Sequence, residues 1–197
     1  WPYVYYLSAM KQNRWLRFAI LLISLIVISF ILAYLLQKLV SPFRMTLDKF
    51  AWLAYLIVFG TTLLASLTII APVPVATAIM IAAATRWDPI LVSLSASIGG
   101  TLGELSAYYA GYLGKKIVLS EYTKGYDRVA SWINRHGFWA LSLFAFQPII
   151  PYDIAGMIAG SLQMPLWKFL PASCVGKFPK YIILCYFGTV LMHFLPP

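Results

Sequence analysis

Glu104, Lys177 and Lys180 have the strongest claim to chemistry in this chain, because each lies within an otherwise apolar run. Glu104 sits deep in the stretch from Pro89 to Leu113. A charge at membrane depth costs about 3 kcal/mol or more unless it is paired or wetted, so it reads as functional by default. Lys177 and Lys180 are one helical turn apart and share a face. The repeat described below makes Glu104 the equivalent of Lys180. A direct Glu104–Lys180 pair in a shared polar cavity is therefore one expectation, with Lys177 facing the same cavity; separate snorkelling of each charge is the other. Asp153 follows Pro151 at the start of a helical arm, where it suits an N-cap. The positive end of that arm would equally suit an anionic headgroup. Gln147, just before Pro148, is a neutral candidate for lining the same turn.

Enzyme signatures are thin. The only histidines, His136 and His193, have no acid at helical spacing, and the whole chain holds six Asp and Glu residues. It contains no Gly-x-Ser-x-Gly, no His-Glu-x-x-His, no phosphate-cradling loop and no Cys/His cluster. No catalytic residue, metal site or cofactor is expected. What remains is the chemistry of binding a polar group and carrying it through an apolar medium.

The elements that must position these charges are internally repeated. At an ungapped offset of 76 residues, Pro72 falls on Pro148, Pro89 on Pro165 and Gly100 on Gly176. Leu67, Ala83, Ala96 and Ser97 fall on Leu143, Ala159, Ala172 and Ser173. Each copy opens with an apolar segment broken by prolines, at Pro72 and Pro74 and again at Pro148 and Pro151. Such paired interruptions are the best sequence pointer to a translocation site. The arms are short: Val75 to Thr85, or Phe138 to Phe146, reaches roughly half of a bilayer core at about 1.5 Å per residue. Each copy therefore reads as a re-entrant hairpin with Pro72 and Pro74, or Pro148 and Pro151, at its turn; a kinked spanning helix is the alternative. A proline turn at that depth must be buried in protein or face a wet cavity. A long helix follows each hairpin, Pro89 to about Leu113 and Leu166 to about Phe194. A hairpin returns to its own side and a long helix crosses once, so the second copy is inverted. Gly99, Gly103, Ala107 and Gly111 recur at four-residue steps, with Gly176 in the second copy, as a stripe for close helix packing.

Composition sets the class. The chain is 61% hydrophobic and 11% charged, with mean hydropathy +0.81, more apolar surface than a soluble fold of this size can bury. The fold class expected is an all-α integral membrane protein. Residues 1–50 would hold an interfacial segment and a first spanning helix, Phe18 to Leu36, and residues 51–197 the membrane domain. That domain divides into repeat one (51–114), an amphipathic connector (115–137) and repeat two (138–197). No cleavable-signal pattern is present. The net charge of +9 comes from connecting segments, which points to membrane headgroups rather than nucleic acid. Nine lysines and arginines collect on one side against four on the other, placing the amino terminus and the connector in the cytoplasm. Cys174 and Cys185 would lie about 16 Å apart on one helix, too far for a disulfide.

Two blocks resemble the DedA/VTT superfamily, also called SNARE-associated Golgi proteins. The first is the run Gly99 to Gly114, similar to that family's Gly-x-x-x-Gly-acid-x-x-x-Tyr-x-x-Gly-x-x-Gly pattern. The second is Gln147-Pro-Ile-Ile-Pro-Tyr-Asp153, followed by Gly160, Met164-Pro165, Phe169 and Gly176-Lys-Phe-Pro179. The resemblance implies two opposed re-entrant hairpins with accompanying helices, and members implicated in moving phospholipids or undecaprenyl phosphate between leaflets. The chain departs from the bacterial pattern where two arginines flank the second block, having Ala145 and Pro151, and it has no acid from Ala71 to Ala84. Those departures remove the residues on which proton coupling and phosphate recognition of that kind would rest.

The leading expectation is a lipid scramblase or flippase of a bacterial or archaeal plasma membrane, with Glu104, Lys177, Lys180, Asp153 and Gln147 along its path. The rivals are an ion- or proton-coupled transporter of a small solute and a non-transporting scaffold in membrane trafficking. The expected partners are membrane lipids, anionic headgroups above all; a homo-oligomer is compatible with the sequence.

Overall fold

The structure is a computed structural model. It describes residues 27–36, 51–67, 73–122, 126–147 and 152–194, together with a few isolated positions before residue 39. The protein is all-α, with no strand among the described residues. We number the helices α1 (Val27–Leu36), α2 (Ala51–Leu67), α3 (Val73–Ala84), α4 (Pro89–Gly103), α5 (Leu105–Tyr122), α6 (Tyr126–His136), α7 (Phe138–Phe146), α8 (Tyr152–Ser161) and α9 (Leu166–His193).

Local chemistry explains several boundaries. The Asp88 carboxylate accepts from the Ile90 amide at 2.7 Å and from the Leu91 amide, and Pro89 occupies the first helical position of α4. Gly137, at φ +48°, takes the left-handed backbone that turns α6 into α7, a conformation open to glycine at little cost. The span Pro89–Gly114, 26 residues, and the 28-residue α9 are each about 40 Å long, enough to cross a bilayer core of about 30 Å. At 12, 9 and 10 residues, α3, α7 and α8 reach only about 14 to 18 Å. The tips between α2 and α3 and between α7 and α8, with Pro72, Pro148 and Pro151, lie outside the described residues, as do the amino-terminal segment and the polar stretch before α2.

The long helix expected from Pro89 to about Leu113 is present as the span Pro89–Gly114, with a one-residue turn at Glu104 that divides it into α4 and α5. The Glu104 amide is 3.3 Å from the Gly100 carbonyl, which also accepts from Lys177 at 2.7 Å. The Gly100 carbonyl is thus shared between the helical ladder and the lysine. Beyond the turn, α5 continues to Tyr122, because Lys115 to Leu119 contains no helix breaker. The described residues of the segment 115–137 are therefore the end of α5 and α6. Helix α6 turns Ala130 and Ile133 onto α7 and α8 and leaves Arg128, Asn134 and Arg135 exposed.

Packing is reciprocal between the copies. Helix α2 lies along α4 as α7 lies along α9; α3 meets α9 as α8 meets α5; and α4 and α9 pack on each other. Small residues make these approaches feasible. A Cβ at Gly99 would strike the Phe59 carbonyl oxygen, one at Gly103 that of Leu63, one at Gly111 the backbone of Met157 and one at Gly176 the Ser142 carbonyl. Gly188 meets Ile81, whose equivalent in the second copy is Met157, the neighbour of Gly111. One core gathers Tyr108, Leu141, Ile158 and Phe169 around the second hairpin, and another gathers Val58, Met80, Val92 and Cys185 around the first. Helix α1 adds Ala33 against Ala78, Ile81 and Met192.

Candidate functional site

The charged centre lies where α4 crosses α9. The Lys177 ammonium donates to Glu104 Oε1 at 2.8 Å and to the Gly100 carbonyl at 2.7 Å, and stands 5.1 Å from the centre of the Tyr152 ring. The two side chains are 2% and 7% exposed. Taking both charges from water costs several kcal/mol per ion, which their attraction repays only if the remaining polar atoms are also satisfied. Lys177 meets that condition with two hydrogen bonds and an aromatic face. Glu104 does so by half, since its second oxygen, Oε2, is buried without a hydrogen-bond partner.

The surroundings hold the lysine in place. Gly176 lets α7 approach so closely that the Ser142 hydroxyl donates to the Ala172 carbonyl at 2.9 Å. The Tyr152 and Ser173 hydroxyls hydrogen-bond to each other, and Ser173 also donates to the Phe169 carbonyl at 2.8 Å. These bonds fix α7, α8 and α9 around Lys177. Gly156 of α8 keeps room for the acid: a Cβ there would lie 3.9 Å from Glu104 Oε2.

The partner of Glu104 is thus Lys177, not Lys180. The correction has a geometric cause. The long helices cross near Gly100 and Lys177, while Glu104 and Lys180 lie one turn beyond the crossing on their own helices and are carried apart by it. Lys180 is half-buried, with its ammonium 5.4 Å from the Tyr181 ring centre, and it remains within electrostatic reach of Glu104 and Lys177. Asp153 also joins the centre, acting electrostatically on both Glu104 and Lys177. It stands inside the first turn of α8 rather than at its cap, since that helix already begins at Tyr152. Gln147 is the C-cap residue of α7, its amide bonded to the Leu143 carbonyl at 3.1 Å. Pro74 occupies the first turn of α3, where its missing N–H costs nothing.

Sequence reasoning missed the Gly100 carbonyl, Tyr152 and Ser173. A signal existed for Ser173, which matches Ser97 in the repeat; Tyr152 and the carbonyl carried none. Among the described residues no group of three or more His, Cys, Asp and Glu is placed to hold a metal ion. Two acids and two lysines, with an open valence on Glu104, can exchange partners with a charged group.

Comparison with known proteins places the chain. The VTT domain matches residues 72–190, a range that contains Glu104, Asp153, Lys177 and Lys180. Over 97 residues, 45% of the chain and 21% of the relative, it is 27% identical to the vacuole membrane protein KMS2 of Arabidopsis thaliana. Over 101 residues, 48% of the chain and 50% of the relative, it is 27% identical to the undecaprenyl phosphate transporter A of Bacillus subtilis strain 168. The matches thus span half or less of these relatives' lengths. No solved structure matches it significantly.

Proposed function

The chain belongs to the VTT-domain family, and from that premise we propose that it is a lipid translocase, a scramblase or flippase for lipids with anionic headgroups. The observation that carries the reading is the buried Glu104–Lys177 pair, with Asp153 and Lys180 beside it, midway along two helices long enough to span. The pairs α2 with α3 and α7 with α8, of which α3, α7 and α8 are too short to span, form re-entrant hairpins, with the second copy inverted. The headgroup passes the cluster of Glu104, Asp153, Lys177 and Lys180 while the tails stay in hydrocarbon, and the amino terminus faces the cytoplasm. Similarity to a protein named as an undecaprenyl phosphate transporter supports a lipid substrate.

Reconstitution into liposomes tests it. Labelled phospholipid and labelled polyprenyl phosphate, in separate vesicle sets, should show one class reaching the opposite leaflet in proportion to protein content. Glu104→Gln keeps the size and removes the charge, and should slow that movement. Rates no higher than in protein-free vesicles for both lipids would overturn the reading; wild-type rates for both Glu104→Gln and Lys180→Met would remove these charges from the mechanism. Asp153 beside Glu104 favours a second reading, in which the same cluster couples a small solute to an ion. Solute uptake that depends on an imposed proton or sodium gradient, without lipid movement, would select it.

A further inference from the structure

Gly100 and Gly176 are equivalent positions of the two copies, and each faces an equivalent serine, Ser66 of α2 and Ser142 of α7. The space beside them is filled differently. A Cβ at Gly176 would strike the Ser142 carbonyl and the Ala145 side chain, so the neighbouring helix closes that space. A Cβ at Gly100 would meet three polar side-chain ends instead. These are the Tyr181 hydroxyl at 3.2 Å, the Lys177 ammonium at 3.5 Å and the Ser66 hydroxyl at 3.5 Å. Groups from α2 and α9 thus converge on one point beside the helix crossing, in the first copy and not in the second.

Each of the three has a hydrogen left to give. An ammonium carries three N–H donors, and Lys177 spends two on Glu104 Oε1 and the Gly100 carbonyl. Among the described residues, neither the Tyr181 nor the Ser66 hydroxyl is bonded to a protein acceptor. The matched Ser142 hydroxyl, by contrast, donates to the Ala172 carbonyl at 2.9 Å. Lys180, one turn along α9 from Lys177, brings a second cation to the same side, its ammonium 5.4 Å from the Tyr181 ring centre. Asp153 reaches the centre from α8, in the other hairpin. The hydroxyl side is therefore the positive side of the charged centre. A water there would satisfy hydroxyls, but an oxyanion supplies acceptors in several directions together with the charge that the lysines attract, and hydrogen bonds to an ionised acceptor are about twice as strong.

We propose that Ser66, Tyr181 and Lys177 form an oxyanion seat beside Gly100 that holds the phosphate of a lipid headgroup at the crossing of α4 and α9. The inference rests on the lipid reading above and adds to it two uncharged residues, Ser66 and Tyr181, that grip the headgroup.

Binding to the full chain in detergent tests it. The probes are inorganic phosphate, dihexanoylphosphatidylglycerol and farnesyl phosphate, each lipid paired with its phosphate-free counterpart, dihexanoylglycerol or farnesol. At least one phosphate-bearing lipid should bind tenfold or more tightly than its counterpart. Tyr181→Phe and Ser66→Ala each remove one donor to an anion, and each should weaken that lipid about tenfold without changing the affinity for its counterpart. Thr189→Ala, which removes a hydroxyl two turns further along α9 that bonds within its own helix, should change neither. Gly100→Ala fills the point where the three groups meet and should abolish the preference for phosphate; should it fail to fold, the two hydroxyl variants carry the test. Whichever lipid loses affinity in those variants identifies the source of the phosphate, a glycerophospholipid or a prenyl phosphate. Affinities indifferent to both hydroxyls mean that water alone fills the seat, and overturn the proposal. So does equal binding of the phosphate-free counterparts, and so does a loss confined to inorganic phosphate, which would make this a site for the free ion. Binding does not require movement across the membrane. A protein that binds in this way but moves no lipid sinks the translocase reading alone, and one that moves lipid while binding it indifferently to both hydroxyls sinks only the seat.

Discussion

The two copies share a scaffold but not a site. At the repeat offset, Tyr152 and Asp153 of α8 replace Ala76 and Thr77 of α3, and Gly156 replaces Met80. The second hairpin therefore brings a ring, an acid and free space to the crossing, while the first brings packing: Ala76, Ala78, Met80 and Ile81 are buried in α3. The long helices differ in the same sense. Both are weakened at one repeat position, by Gly103–Glu104 in the first copy and Pro179–Lys180 in the second. The first takes a one-residue turn there, but α9 runs through Pro179. The comparison teaches that duplication supplied the frame, and that unequal residues at matched positions made an asymmetric charged centre within it.

Substitutions should break that comparison in graded steps. The largest effect is expected from Lys177→Met, which strands the Glu104 carboxylate in the interior at about 3–5 kcal/mol. Thermal unfolding in detergent should show it, while Lys180→Met, at the other end of the turn, shifts the midpoint far less. Equal losses from the two would mean that the charged centre does not distinguish the lysines. The exchange Glu104→Lys with Lys177→Glu should recover part of the stability lost by either single change.

Next comes the packing common to both halves. Gly103→Leu drives a side chain into the Leu63 carbonyl and the Ser66 side chain, and should cost about 1–3 kcal/mol as overpacking. Gly114→Leu, with open space around it, should leave the unfolding midpoint unchanged. A fully stable Gly103→Leu protein would show that α2 does not lie against α4.

The hydroxyl pair of the second copy is worth less. Tyr152→Phe removes the bond to Ser173 and should cost about 1 kcal/mol, while Ser97→Ala, at the matched position in the first copy, acts on a weaker contact to the Cys174 thiol at 3.6 Å. Comparable midpoint shifts for the two would make the copies energetically equivalent after all. Smallest in stability is Asp153→Asn, which keeps the side chain's size and removes a like charge from beside Glu104, so the unfolding midpoint should move least of the series while lipid movement in liposomes slows. An unchanged rate would leave Asp153 a helix-end charge without a part in transport.

Much of this was legible beforehand for identifiable reasons. The short arms were readable because 1.5 Å per residue converts apolar length into reach. Glu104, Lys177 and Lys180 stood out because charge in apolar runs is costly, and Asp153 because it follows a proline at a helix start. The stripe of Gly99, Gly103 and Gly111 was readable because four-residue steps stay on one face. The contact of Lys177 with the Gly100 carbonyl and Glu104 was not, since it joins residues more than 70 positions apart in the chain. The asymmetry of the site was also hidden, because the repeat match emphasises what the copies share.

By itself the sequence determined that the chain lives in a membrane, that it is built twice, and that a few charges must be reconciled inside it. Hydropathy, spacing and periodicity are properties of single segments, and these conclusions need nothing more. Only the tertiary structure decided which lysine meets Glu104, which tyrosine covers it and where the second carboxylate oxygen is left unpaired. An ion pair requires approach to within about 4 Å. In this chain that distance is set by where α4 and α9 cross, through the backbone contacts that Gly99, Gly103 and Gly176 permit, and so by how the helices pack rather than by their order along the chain.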